Sequence, residues 1–177
     1  MNRPHTTSRR TSLSLAAAAV MSVALATARL DAQAAGIAVG TRAPDAAVTT
    51  LDGKPMQLRS MLGETPVVIE FFATWCPLCR ALESQMKELQ RRHGDAVRFI
   101  TVTVPDNQSP DRVRRYVEKN QLGGTFLFDG NGAAVKSYQV PHTSYVVIVD
   151  RSGIVRYTGV GAEQDLAKAL APLLPQE

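Results

Sequence analysis

Apolar positions along this chain switch between a strand period and a helix period. Ala46 to Leu51 alternates weakly and meets Asp52-Gly53, a hairpin turn signal, with Met56-Gln57-Leu58 as the return strand. Ser60 to Gly63 reads as a short turn. Val67 to Ala73 is almost continuously apolar, the mark of a strand buried on both faces in a parallel sheet. Leu78, Leu82, Met86 and Leu89 then recur at helical spacing, and that helix stops at Gly94. Val97 to Val104 is the next strand. Ser109-Pro110-Asp111 starts a second helix, with Ser109 as cap, Pro110 in the first position, and Val113, Tyr116 and Val117 as its apolar face. After the break at Gly123-Gly124, Phe126-Leu127-Phe128 is a short strand and Ala133 to Tyr138 a helical turn. Tyr145 to Val149 and Ile154 to Thr158 form a hairpin around Asp150-Arg151-Ser152-Gly153. Leu166, Leu170 and Leu173 mark a closing helix. The order β-hairpin, βαβ, insert, ββα predicts an α/β fold in three layers: a central mixed sheet, helices on both faces and an N-terminal β-hairpin.

One polar interruption changes the picture. Cys76 and Cys79 are the only two cysteines. They lie at the junction of the Val67 strand and the helix that follows, a redox-active dithiol pattern. Pro77 suits the first turn of a helix, where its missing N–H costs nothing. Cys76 is thereby placed at the helix N-terminus, where unpaired N–H groups and the macrodipole favour a thiolate. Cys79 is one turn further on, within reach of a disulfide. A structural bridge this local would stabilise little by chain entropy, and a zinc site needs four suitably spaced ligands. Glu70 is the only charge in its strand, six residues before Cys76. A carboxyl buried there has a raised pKa and can shuttle a proton near neutrality; at an exposed strand position it would serve only solubility. Trp75 either shapes the surface beside the dithiol or belongs to the core.

Composition enters through the N-terminus. Arg3, Arg9 and Arg10 precede an apolar run from Leu13 to Ala28, and Ala32-Gln33-Ala34 is a small-x-small cleavage site. Residues 1–34 therefore read as a secretory signal peptide, and 35–177 as one domain. The run is short and alanine-rich for a membrane span. Residues 1–34 hold four of the 20 basic residues and one of the 16 acids, so the remainder carries a net charge of about +1. The overall basic balance thus gives little support to nucleic-acid binding. Export, to the periplasm or another extracytoplasmic space, places the dithiol in an oxidising compartment.

The chain resembles the thioredoxin superfamily, in particular the TlpA/ResA-like secreted thiol–disulfide oxidoreductases. The residues that carry this are Gly40-x-x-Ala43-Pro44-Asp45, Asp52-Gly53-Lys54, Phe71-Phe72-Ala73-Thr74-Trp75-Cys76-Pro77-Leu78-Cys79, Tyr138-x-Val140, Val149-Asp150-x-x-Gly153 and Gly159. The resemblance implies a thioredoxin-like fold. Cys76 would be the attacking thiol, Cys79 the resolving thiol, and Glu70 would stand where a buried acid occurs. The redox-active disulfide would need no other cofactor. It further implies protein thiol or disulfide substrates, an upstream electron donor, a monomer, and the membrane only as a location of partners. Trp75, Pro77, Thr143 and Ser144 are the expected substrate-contacting residues.

Two departures follow from the same comparison. The family places a cis-proline about six residues before the aspartate that matches Asp150; counting back reaches Ser144, with Pro141 three residues earlier. Because Tyr138-x-Val140 keeps register with Ser144, Thr143-Ser144 is expected to replace the usual pair, the other choice being a rearranged loop that uses Pro141. Val140-x-His142-Thr143 also resembles a segment of the Sco-type copper-assembly proteins, which share this fold and bind copper with two cysteines and a histidine. On that alternative Cys76, Cys79 and His142 would hold copper, a set of soft and borderline ligands suited to that ion. The Sco-type cysteines have three residues between them, and here there are two. A peroxidase of the peroxiredoxin kind would have Thr where Ala73 stands.

Overall fold

β3 (Val67–Phe72) is the axis of the molecule, and each of its six residues is buried. The computed structural model describes residues 36–175. The expected signal peptide, and Ala35 after it, lie outside the described residues. β3 pairs parallel with β4 (Arg98–Thr103) on one side and antiparallel with β6 (Tyr145–Val149) on the other. β1 (Ala47–Thr50), β2 (Pro55–Gln57), β5 (Thr125–Phe128) and β7 (Val155–Val160) complete a seven-stranded mixed sheet in the order β2-β1-β5-β4-β3-β6-β7. Two-sided burial is why the β3 sequence lacks the alternation of a half-exposed strand.

Alternate β3 side chains feed two different cores. Val67, Ile69 and Phe71 join Val48, Leu58 and Tyr145 on one face. There Ala134 of α3 (Ala133–Ser137) packs against them. Val68 faces α1 (Pro77–His93) and α4 (Leu166–Leu170), packing with Leu82, Met86 and Leu166. Leu82 is fully buried, and its truncation to alanine would cost about 2–5 kcal/mol. α2 (Pro110–Asn120) crosses between β4 and β5, and its Tyr116 packs on Phe72 with ring centroids 5.7 Å apart. The expected helix start is present: the Ser109 hydroxyl accepts the Arg112 N–H at 3.3 Å, with Pro110 in the first turn.

Two expectations of secondary structure are corrected. Leu58 does not extend the return strand; it opens a 3-10 turn, Leu58–Met61. Its N–H goes to the Ala46 carbonyl at 3.0 Å and its side chain is buried in the first core, which ends the ladder. The closing helix is also shorter than its leucine spacing predicts. α4 gives way to a 3-10 turn, Ala171–Leu173, because Pro172 cannot donate to the helical ladder.

Candidate active site

The site lies where β3 runs out and α1 begins. The turn is closed by the Cys76 N–H donating to the Ala73 carbonyl at 3.1 Å, and Pro77 opens the helix. Cys76 is the N-cap residue, and its Sγ accepts the Cys79 N–H at 3.1 Å. A sulfur in that position occupies the place where a capping oxygen normally satisfies an orphan helix donor. Both cysteines are free, with Cys76 2% and Cys79 1% exposed. Burial pushes the Cys79 thiol up, and its hydrogen bond to Cys76 adds to that. The two sulfurs are therefore unequal: one caps the helix, and the other holds its proton in a dry site.

Glu70 lies beneath them on the α1 face of β3. It is buried, and its Oε1 has no hydrogen-bond partner. Its sheet neighbours are Thr101 and Val146. Burial first, then the Cys76 and Glu83 charges, raise its pKa to about 8. The carboxyl thus titrates near neutrality and can either accept or return a proton.

The rim is apolar on the α1 side. Trp75 is 41% exposed, so it is a surface residue, not core; its indole N–H donates to the Asp106 carbonyl at 2.8 Å. Pro77 and Leu78 are exposed beside it. Sequence reasoning missed the strap behind this rim. The Gln108 side chain accepts the Thr74 N–H at 2.7 Å and donates to the Val104 carbonyl at 2.8 Å. It thereby ties the loop after β4 to the residues that carry the dithiol.

On the facing segment, Ser144 stands at the head of β6 and its N–H donates to the Phe71 carbonyl at 2.8 Å. Pro141 lies three residues earlier, and no peptide bond among the described residues is cis. Ser144 takes a left-handed φ of 67°. Its side chain does not reach outward to a substrate: it is fully buried, and its hydroxyl accepts the Gly161 N–H at 3.1 Å. Thr143, half-buried, is the member of the pair left near the surface. His142 is exposed. Among the described residues no group of three or more His, Cys, Asp or Glu side chains is arranged to hold a metal ion, the set of Cys76, Cys79 and His142 included.

A mixed sheet with a dithiol at the head of the helix after its central strand defines the thioredoxin-like class of redox proteins. The family model described as Redoxin matches residues 38–173. The thioredoxin-like protein YneN of Bacillus subtilis is 30% identical over 127 residues, covering 71% of this chain and 74% of that protein. The thiol-disulfide oxidoreductase ResA of Bacillus thuringiensis is 26% identical over 140 residues, covering 77% and 79% respectively. A solved thiol:disulfide interchange protein of Chlorobium tepidum superposes with a TM-score of 0.66 at 23% identity, over 78% of this chain and 99% of that one, a likeness of fold. The chain belongs to the redoxin family and is a thioredoxin-like thiol–disulfide oxidoreductase.

Proposed function

We propose that this protein is exported and exchanges its Cys76–Cys79 dithiol with disulfides of other proteins. The observation that carries the reading is the unequal pair of sulfurs over an unpartnered carboxyl: Cys76 capping α1, Cys79 protonated behind it, Glu70 below. The Cys76 thiolate attacks one sulfur of a target disulfide, forming a mixed disulfide as the other target sulfur leaves as a thiolate. Cys79 gives its proton to Glu70 and attacks the Cys76 sulfur. The second target thiolate then departs, the target has gained two electrons, and Cys76–Cys79 is a disulfide. A dithiol donor reverses the last state, with Glu70 returning the proton to Cys79. No further cofactor enters the cycle.

Trp75, Pro77 and Thr143 supply the surface a target segment would meet; Ser144 holds the facing loop from within. The arginines, apolar run and small-residue site of residues 1–34 support export, and the thiol-disulfide oxidoreductase name of the ResA relative supports a target of that chemistry. The test is a trap. Cys79→Ser should accumulate mixed disulfides through Cys76, and Cys76→Ser should form none. Adducts carried by Cys79 in the Cys76→Ser protein would reverse the roles, and adducts in neither variant would sink the reading.

A further inference from the structure

Both cysteines and Glu70 are buried, so a proton that moves between them needs a way to water. One narrow cavity, with room for about one water molecule, reaches Glu70 from the side. It lies between α1 and the strands β3, β4 and β5, with Glu70 and Thr101 inside and Lys87, Gln90 and Gly123 toward solvent. Cys79, Glu83 and Lys87 are spaced four apart on α1 and so form one stripe that runs from the buried thiol out to solvent. Glu83 is half-buried on that stripe and lines the same cavity as Glu70. It does not hang free: the Tyr116 hydroxyl of α2 donates to its Oε1 at 2.5 Å. The space is large enough to admit water. The charged and titratable groups that face Glu70 are Cys76, Cys79, Glu83 and Lys87 from α1, with Tyr116 of α2 acting on Glu83; β4, β5 and β6 present only Thr101, Phe126 and Val146.

We propose that this cavity is the proton port of the dithiol, in which Glu70 releases the proton of Cys79 toward Glu83, and Glu83, positioned by Tyr116, delivers it to solvent. The inference rests on Glu70 being the base proposed above. In the relay the Cys79 S–H bond breaks and Glu70 gains the proton; the proton then crosses through water to the Glu83 carboxylate and leaves. The electrons stay with the sulfurs. Glu83 has a second effect, since its negative charge raises the proton affinity of Glu70. It is thus a positioning residue for the resolving step and touches neither sulfur in the reaction.

The test uses the reduced protein and the disulfide 5,5′-dithiobis(2-nitrobenzoate). The first thiobenzoate released reports attack by Cys76. The second reports attack by Cys79 on the mixed disulfide. Glu83→Gln should leave the first release unchanged, and slow the second about five-fold or more at its plateau. Its pH midpoint should move down, because the charge that holds the Glu70 proton is gone. Added imidazole should restore the lost rate. Tyr116→Phe, which keeps the Glu83 charge, should slow the second release with less change in midpoint. A second release in Glu83→Gln that matches the parent in rate and midpoint would overturn the port, as would a slowing that imidazole does not relieve. Glu70→Gln separates the two levels. If it slows the second release while Glu83→Gln does not, the port alone fails. If it leaves the second release at the parent rate, the base fails and the port with it.

Discussion

Two acids sit low in this sheet, and the protein treats them in opposite ways. Asp150, in the turn between β6 and β7, has both oxygens engaged. Its Oδ1 accepts the Ser152 and Ile154 N–H groups at 2.8 and 3.0 Å, and its Oδ2 accepts the Arg156 guanidinium at 2.5 Å. Burial alone would raise its pKa, yet these bonds outweigh it and hold the carboxylate at about 2. Glu70 has burial without the bonds, and like charges nearby, and it goes the other way to about 8. Desolvation is common to both; partners decide the sign. Asp150 serves structure and has both oxygens satisfied. Glu70 is left partly unsatisfied beside the dithiol, where a carboxyl with a raised pKa is suited to chemistry.

The sharpest way to break the contrast is to remove each acid and read exchange. Glu70→Gln should slow closure of the Cys76–Cys79 bond by about 10²-fold or more, the loss of a positioned base, with Asp150→Asn within two-fold or so of the parent. Equal slowing in both would end the division of roles. Reading stability instead should invert the ranking. Asp150→Ala removes charge-assisted bonds to three partners and should destabilise by about 2–4 kcal/mol in a urea titration, whereas Glu70→Gln at pH 9 should be neutral or stabilising.

The pH dependence of stability should then show two slopes of opposite sign. The Asp150 pKa is depressed, so its contribution is complete above the unfolded value of 3.8 and is lost as pH falls toward about 2, amounting to roughly 2 kcal/mol. The Glu70 pKa is raised, so the folded state binds the extra proton between 4.5 and about 8. Stability should fall as pH rises through that window, by at most about 1.4 kcal/mol per pH unit, and Glu70→Gln should flatten it. A window that survives the substitution would assign the slope elsewhere. The smallest effect belongs to Arg156→Gln. The Arg156 side chain is about half exposed, so its pairing with Asp150 should be worth about 1 kcal/mol or less, shrinking in high salt.

Much of this was legible in the order of residues, for local reasons. The apolar run of β3, the leucine spacing of α1 and the Ser109-Pro110 start each depend on neighbours a few positions away. Glu70 stood out because one charge in such a run has no local explanation. Leu58 was misread because a strand period does not reveal when a side chain turns into another core. Ser144 directly precedes β6, but whether its hydroxyl faces Gly161 or a target depends on the chain that follows β7, which no count of residues conveys. Gln108 to Thr74 and Tyr116 to Glu83 join residues 34 and 33 apart. Neither lies on a repeat; Gln108 and Glu83 alone look like ordinary solvated side chains, and Tyr116 reads only as part of the apolar face of α2.

The Gln108 strap has a mechanical consequence. The Thr74 amide would be a free donor at the end of β3, but a side chain from the next loop closes on it and on the Val104 carbonyl at once. The dithiol turn and the approach to α2 are thereby joined into one cooperative unit for local unfolding. The Thr74 proton should accordingly exchange with solvent only when both loops open together, at a rate set by that joint opening. On the proposed cycle, a target that strained the turn while a mixed disulfide was in place would work against both loops at once.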